Sequence, residues 1–254
     1  MNNTFQWSRF GKLLRKDFLN VWTMYGSTVL GFISLPLVLW ICDLVINGGA
    51  GYTEPAGRIV FILFISVFVA LMAPKYLYGS CNRKGDGIYF AMLPASKLEK
   101  FISMIIFCFI VAPLLVFCGS SVVDMILSAF PFGPYRQFLF DLPSFYYAYP
   151  ATEINETAWA IAYCIVSYCA WVATFFFTNT VFKKHKFVGT ILTLFVITVI
   201  LILFYSIFNP SFEFLARMAM NNPIALLWTF LSLGIVYTLG LLVWSFFRLK
   251  KMAY

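Results

Sequence analysis

Charge is what this 254-residue sequence lacks most. Only 11% of it is Asp, Glu, Lys or Arg, against roughly 25% in soluble proteins, and 62% is apolar, against roughly 45–50%. A water-soluble fold is not expected, because this much apolar surface, with 30 Phe and 7 Trp, exceeds what one small core hides from water. Histidine is nearly absent too: the one His, His185, sits in Lys183-Lys184-His185-Lys186 among solvated cations. There is no HExxH, and Gly119-Ser120-Ser121 has neither GxSxG context nor a paired base. The chain is therefore not expected to be an enzyme, nor to hold a metal or cofactor. It also lacks GxxxxGK[ST], so any nucleotide hydrolysis belongs to another chain. None of the 6 Cys (Cys42, Cys81, Cys108, Cys118, Cys164, Cys169) forms a CxxC pair, and they read as small packing residues. No internal repeat, low-complexity tract or soluble stretch large enough for its own core is visible. A cleavable signal peptide is not expected either, since the first long apolar run has no small-residue cleavage site.

What remains is a row of apolar runs. A charge at mid-bilayer costs about 2.5–3.5 kcal/mol on insertion scales, and roughly 20 apolar residues cross, so charge-free intervals count the spans. Six occur: Phe18 to Cys42, Ile59 to Pro74, Phe101 to Val123, Thr157 to Phe182, Phe187 to Phe212 and Met218 to Phe247. Trimmed at Gly, Pro and aromatic signals, they predict spans near 26–46, 58–78, 101–127, 157–182, 187–208 and 223–247. The second interval is short and crosses only if Arg58 and Lys75 snorkel to opposite headgroup layers. Of the 18 Lys and Arg, all but Arg58, Arg136 and Arg217 fall on one set of alternate segments. The positive-inside rule then places both termini in the cytoplasm. The net charge of +8 is accordingly a topology signal, and no nucleic-acid partner is expected. Asp43 and Asp124, the only acids inside or beside a span's apolar core, lie near its outer end and read as interfacial, which disfavours ion-coupled transport.

Two segments carry more specific signals. Over residues 5–25, Trp7, Phe10, Leu14, Phe18, Val21, Trp22 and Tyr25 recur at helical spacing opposite Arg9, Lys12, Lys16 and Asn20. This predicts an amphipathic helix on the inner leaflet, an elbow that turns at Gly26 into the first span; the plainer reading is an orienting anchor. The second segment is the cytosolic loop 79–100. There Gly85 and Gly87 interrupt helix, Leu93-Pro94 favours extended chain, and Ser96-x-x-Glu99 forms a capping box opening the third span. Ile88, Tyr89, Phe90, Met92 and Leu93 make an apolar cluster flanked by charge, suited to a groove on another protein or to rest on headgroups.

The elbow, the six spans with both ends inside, and an inner loop running from Arg83 to Leu93-Pro94-Ala95-Ser96-Lys97 before span three resemble the permease subunit of type-2 ATP-binding-cassette transporters. The resemblance covers the whole chain in architecture and residues 83–99 in motif. It implies one all-α transmembrane permease domain over 1–254, with a coupling role for Arg83, Ile88, Tyr89, Leu93, Pro94, Ser96 and Glu99. It further implies a separate cytosolic nucleotide-binding ATPase, a second permease copy (identical or similar), a lipid bilayer and a bacterial inner membrane. Mostly aromatic and aliphatic span walls favour export of a hydrophobic or amphipathic substrate. The alternative is a non-transporting membrane scaffold or assembly factor whose inner loop docks another cytosolic protein.

Overall fold

The structure is a computed structural model, and it describes residues 5–47, 54–82, 92–130, 133–135, 137–140, 154–183, 185–207 and 223–251. These are helical throughout their regular parts, with no strand among them. The helices are α1 (Trp7–Ile33), α2 (Leu35–Asn47), α3 (Pro55–Tyr78), α4 (Lys97–Ile106), α5 (Ala112–Ser128), α6 (Ile154–Val181), α7 (Lys186–Ile207) and α8 (Pro223–Lys251). A 3-10 turn, Gly79–Asn82, follows α3, and a π turn, Phe107–Val111, joins α4 to α5. Five helical runs are long and apolar enough to cross a membrane: Trp7–Ile46, Pro55–Tyr78, Lys97–Ser128, Ile161–Val181 and Trp228–Lys251. The apolar stretch Lys186–Ile200 of α7 is shorter. This is the composition of an integral membrane protein.

Local chemistry explains most boundaries. Pro55 and Pro223 open α3 and α8, where a missing N–H costs nothing. Ser96 caps α4: its hydroxyl accepts from the Glu99 amide at 3.2 Å, and the Glu99 carboxylate accepts from the Ser96 amide at 2.8 Å. The predicted capping box is therefore present. In the π turn, the Ala112 amide reaches back five residues to the Phe107 carbonyl. Pro113, next in line, has no N–H to restore α spacing.

The chain divides into two compact units, residues 1–73 with 94–154 and residues 74–93 with 155–254. In the first, α1 packs along the third apolar run. Ser103 donates its hydroxyl to the Asp17 carboxylate at 2.6 Å, and Ile33 lies where a Cβ on Gly119 would meet it at 2.6 Å. Positions 17 and 33 are as far apart as 103 and 119, so the two helices run side by side in the same direction for about 24 Å. The expected turn at Gly26 is not there: α1 is unbroken through it, and a Cβ at Gly26 would touch nothing within 4 Å. A helical glycine costs only about 1 kcal/mol, less than packing α1 along its neighbour returns. The break comes later, at Ser34, where Pro36 has no N–H for the Phe32 carbonyl.

At the other end of this unit, residues 133–135 and 137–140 fold over α2, α3 and α5. Gly133 sits so close to the Trp40 indole that a Cβ would lie 2.6 Å from its Nε1, and Tyr135 and Leu139 are fully buried. In the second unit, α6 carries the core residues Val172, Ala173 and Phe176. Its hydroxyls meet α7 through Thr178 and Thr190 at 2.7 Å and α8 through Thr174 and Tyr237 at 2.9 Å. His185 is exposed in the turn between α6 and α7 and takes a left-handed φ of 51°.

Candidate functional site

The loop 79–100 was singled out by its sequence, and the structure describes both of its roots. Of the coupling residues named for it, Arg83, Ile88 and Tyr89 lie outside the described residues. Met92 is exposed, Leu93 is half-buried and Pro94 is exposed. Ser96 and Glu99 are buried, Glu99 completely.

Glu99 does two jobs at the C-terminal root. One carboxylate oxygen closes the capping box on Ser96; the other accepts from the Gln6 backbone amide at 2.8 Å and from Arg9 Nη2 at 3.0 Å. The first of these partners is the residue just before α1, where backbone donors have no intrahelical acceptor. A buried anion gathering three donors is far better stabilised than a surface pair. Glu99 thus fastens the start of α4 to the start of α1, and its oxygens are committed inside the chain rather than offered to a partner. Asp17 and Ser103 repeat the α1–α4 fastening further along.

The N-terminal root, in the second unit, is held by a cation. Lys186 Nζ donates to the Gly79 carbonyl at 2.7 Å and to the Asn179 carbonyl at 3.2 Å, and Asn179 Nδ2 donates to the Pro74 carbonyl at 2.7 Å. These carbonyls lie near the C-terminal ends of α3 and α6, where acceptors run out of helical donors and a positive charge is favoured. Lys186 is buried, its stem packed and its ammonium spent on main-chain oxygens.

The residues named for the elbow divide among three environments. Phe10 is buried, Leu14 is half-buried, and Trp7, Phe18 and Trp22 are exposed, Trp7 at 77%.

A second polar centre closes the opposite end of the first unit. Arg58 Nη1 donates to Asp124 Oδ2 at 2.9 Å and to Ser128 Oγ at 3.0 Å, Nη2 donates to the Gln137 carbonyl, and the guanidinium lies 4.3 Å over the Tyr135 ring. The snorkelling of Arg58 expected from the short second interval does not occur: Arg58 is buried, and so is Asp124, which is an ion-pair partner instead of a headgroup-facing acid. Pairing removes the cost of an isolated charge and lets Arg58 hold α3, α5, Tyr135 and Gln137 together. Burial, then the charge of Asp124, pushes the Tyr135 phenol up to about 12, so it stays protonated and cannot act as a pH switch. Lys75, by contrast, is exposed and lies over the Tyr76 and Phe187 rings, as a snorkelling lysine does.

Sequence reasoning missed Gln6, Arg9, Asn179 and Lys186 as fasteners. Asn179 left a signal, being the one side-chain amide within its span; Lys186 was hidden among three adjacent basic residues that served as topology markers. Among the described residues no group of three or more His, Cys, Asp and Glu is placed to hold a metal ion, and all six cysteines are free. The arrangement offers mechanical linkage between helix ends. Comparison with protein families, with curated proteins and with solved structures finds no match to this chain.

Proposed function

We propose that this chain is the membrane-spanning permease subunit of an ATP-driven transporter, moved by a separate cytosolic ATPase that bears on the loop 79–100. In this reading α7 also crosses, as the fifth of six spans, both termini are cytoplasmic, and the first turns of α1 lie at the inner leaflet. A second permease copy completes the path in a bacterial inner membrane, and a hydrophobic or amphipathic substrate leaves along it. The observation that carries the reading is the double anchorage of the loop. Its N-terminal root is held by Lys186 and Asn179 and its C-terminal root by Glu99, so a force on the loop has a fastened path to α3 and α6 through the first root and to α4 and α1 through the second. The exposed Met92 beside Leu93 gives that force an apolar point of contact.

Met92→Asp, alone and with Tyr89→Asp, tests this. Met92 is 74% exposed, so its substitution changes stability by no more than about 0.5 kcal/mol. Purified in mild detergent, the unaltered chain is expected to bring an ATPase with it and the variants to lose at least about nine-tenths of it, as fits a charge placed in an apolar contact. Unchanged association at normal abundance ends the coupling assignment. Consistent copurification of another protein, with no ATPase, supports a membrane scaffold instead.

A further inference from the structure

The first half of α1 has three sides, not two. Phe10, Leu13 and Val21 are buried, and with Gln6 and Asp17, both bonded to the third apolar run, they form the packed side at spacings of three and four residues. Arg9, Lys12 and Lys16, also three and four apart, form a second side, with Arg15 at its margin. Trp7, Phe18 and Trp22 form a third, exposed and aromatic. Lys12, Arg15 and Lys16 are exposed. The nearby Glu99 carboxylate does not face them at the surface, because it is wholly buried among its own donors, Arg9 included. The same contacts bring the first turn of α4, with exposed Lys97, to the level of Arg9.

We propose that the basic side of α1, Arg9, Lys12, Arg15 and Lys16 with Lys97 beside it, is a binding surface for the headgroups of anionic phospholipids. Two observations favour a lipid over a soluble polyanion. Exposed Trp7, Phe18 and Trp22 on the neighbouring side need an acyl boundary, which only a bilayer supplies next to phosphates. In addition, α1 is the first part of an apolar run, Trp7–Ile46, that is long enough to cross a membrane and reaches through the break at Ser34 into α2, which sets its first turns at a headgroup layer. The proposal is independent of the transport reading, since it requires neither an ATPase nor a substrate.

The test is a titration of the full chain, in neutral detergent, with short-chain phosphatidylglycerol and, separately, with phosphatidylcholine of the same chain length. Phosphatidylglycerol is expected to bind more tightly. K12Q/R15Q/K16Q is expected to weaken that binding by about a hundredfold, near fivefold for each cation removed. K183Q/K251Q, which removes exposed basic charge elsewhere, is expected to leave it within twofold. Should the triple variant fold poorly, salt dependence of the unaltered chain gives the same answer, because binding to this surface weakens steeply with ionic strength. Equal binding of the two lipids, an unchanged triple variant, an equal loss in K183Q/K251Q, or indifference to salt each overturns the proposal. Inorganic phosphate is expected not to compete at matched concentration; full competition would mean a free-phosphate site and overturns it as well.

Discussion

Arg58→Met is expected to destabilise the protein by about 3–5 kcal/mol, the usual effect of taking one partner from a buried ion pair, because Asp124 is then left buried without its cation. The loss extends past the pair. Ser128 Oγ and the Gln137 carbonyl lose a donor and the Tyr135 ring loses the cation over its face, so residues 133–140 come loose from the end of the first unit. Arg58→Met/Asp124→Leu is expected to recover most of the stability, since an apolar pair of similar volume leaves no charge behind. The measurement is thermal unfolding in detergent for both single variants and the double, with limited proteolysis between residues 130 and 140. A double variant no more stable than Arg58→Met would mean that the buried charge is not the source of the cost.

Glu99→Ala carries the second large expected effect, about 3 kcal/mol. It removes the N3 half of a capping box, worth about 1 kcal/mol, and leaves the Ser96 and Gln6 amides without their acceptor, at about 1–3 kcal/mol for a buried group. Arg9→Met is expected to cost well under half as much, since Arg9 is 27% exposed and a half-solvated ion pair contributes little. Unfolding midpoints rank the two. If the loop transmits force as proposed, Glu99→Ala also leaves ATPase association in place while transport falls, because the contact point near Met92 is untouched and only the linkage to α1 is cut. Equal losses of association and transport would assign Glu99 to the docking surface itself.

Much of the fold was legible because membrane helices announce themselves over short stretches of chain. Spans predicted at 58–78 and 157–182 correspond to α3 and α6 within a few residues, the interval 187–208 is helical as α7 though its apolar stretch is shorter than a span, and the Ser96–Glu99 capping box formed as its spacing requires. The turn at Gly26 was misread for a physical reason. The charge-free interval begins at Phe18, close to where α1 meets the third apolar run through Asp17, but Gly26 was given the weight of a turn. A glycine breaks a helix only when nothing beyond it packs, and here Ile33 packs on Gly119.

The site was less legible because its contacts are long-range. Glu99 meets Gln6 across 93 positions, Arg58 meets Asp124 across 66 and Lys186 meets Gly79 across 107. Local spacing says nothing about such partners. The outer pair did leave a trace: one arginine and one aspartate near the outer ends of two spans, each expensive alone, are cheapest when they face each other.

The π turn at Phe107–Val111 lies between these two centres on a single rod, with Glu99 below and Asp124 above. One residue more or less there would rotate everything beyond it by about 100°. The surplus residue therefore sets the angular phase of the third apolar run, keeping its lower end turned toward α1 while its upper end presents Asp124 to Arg58.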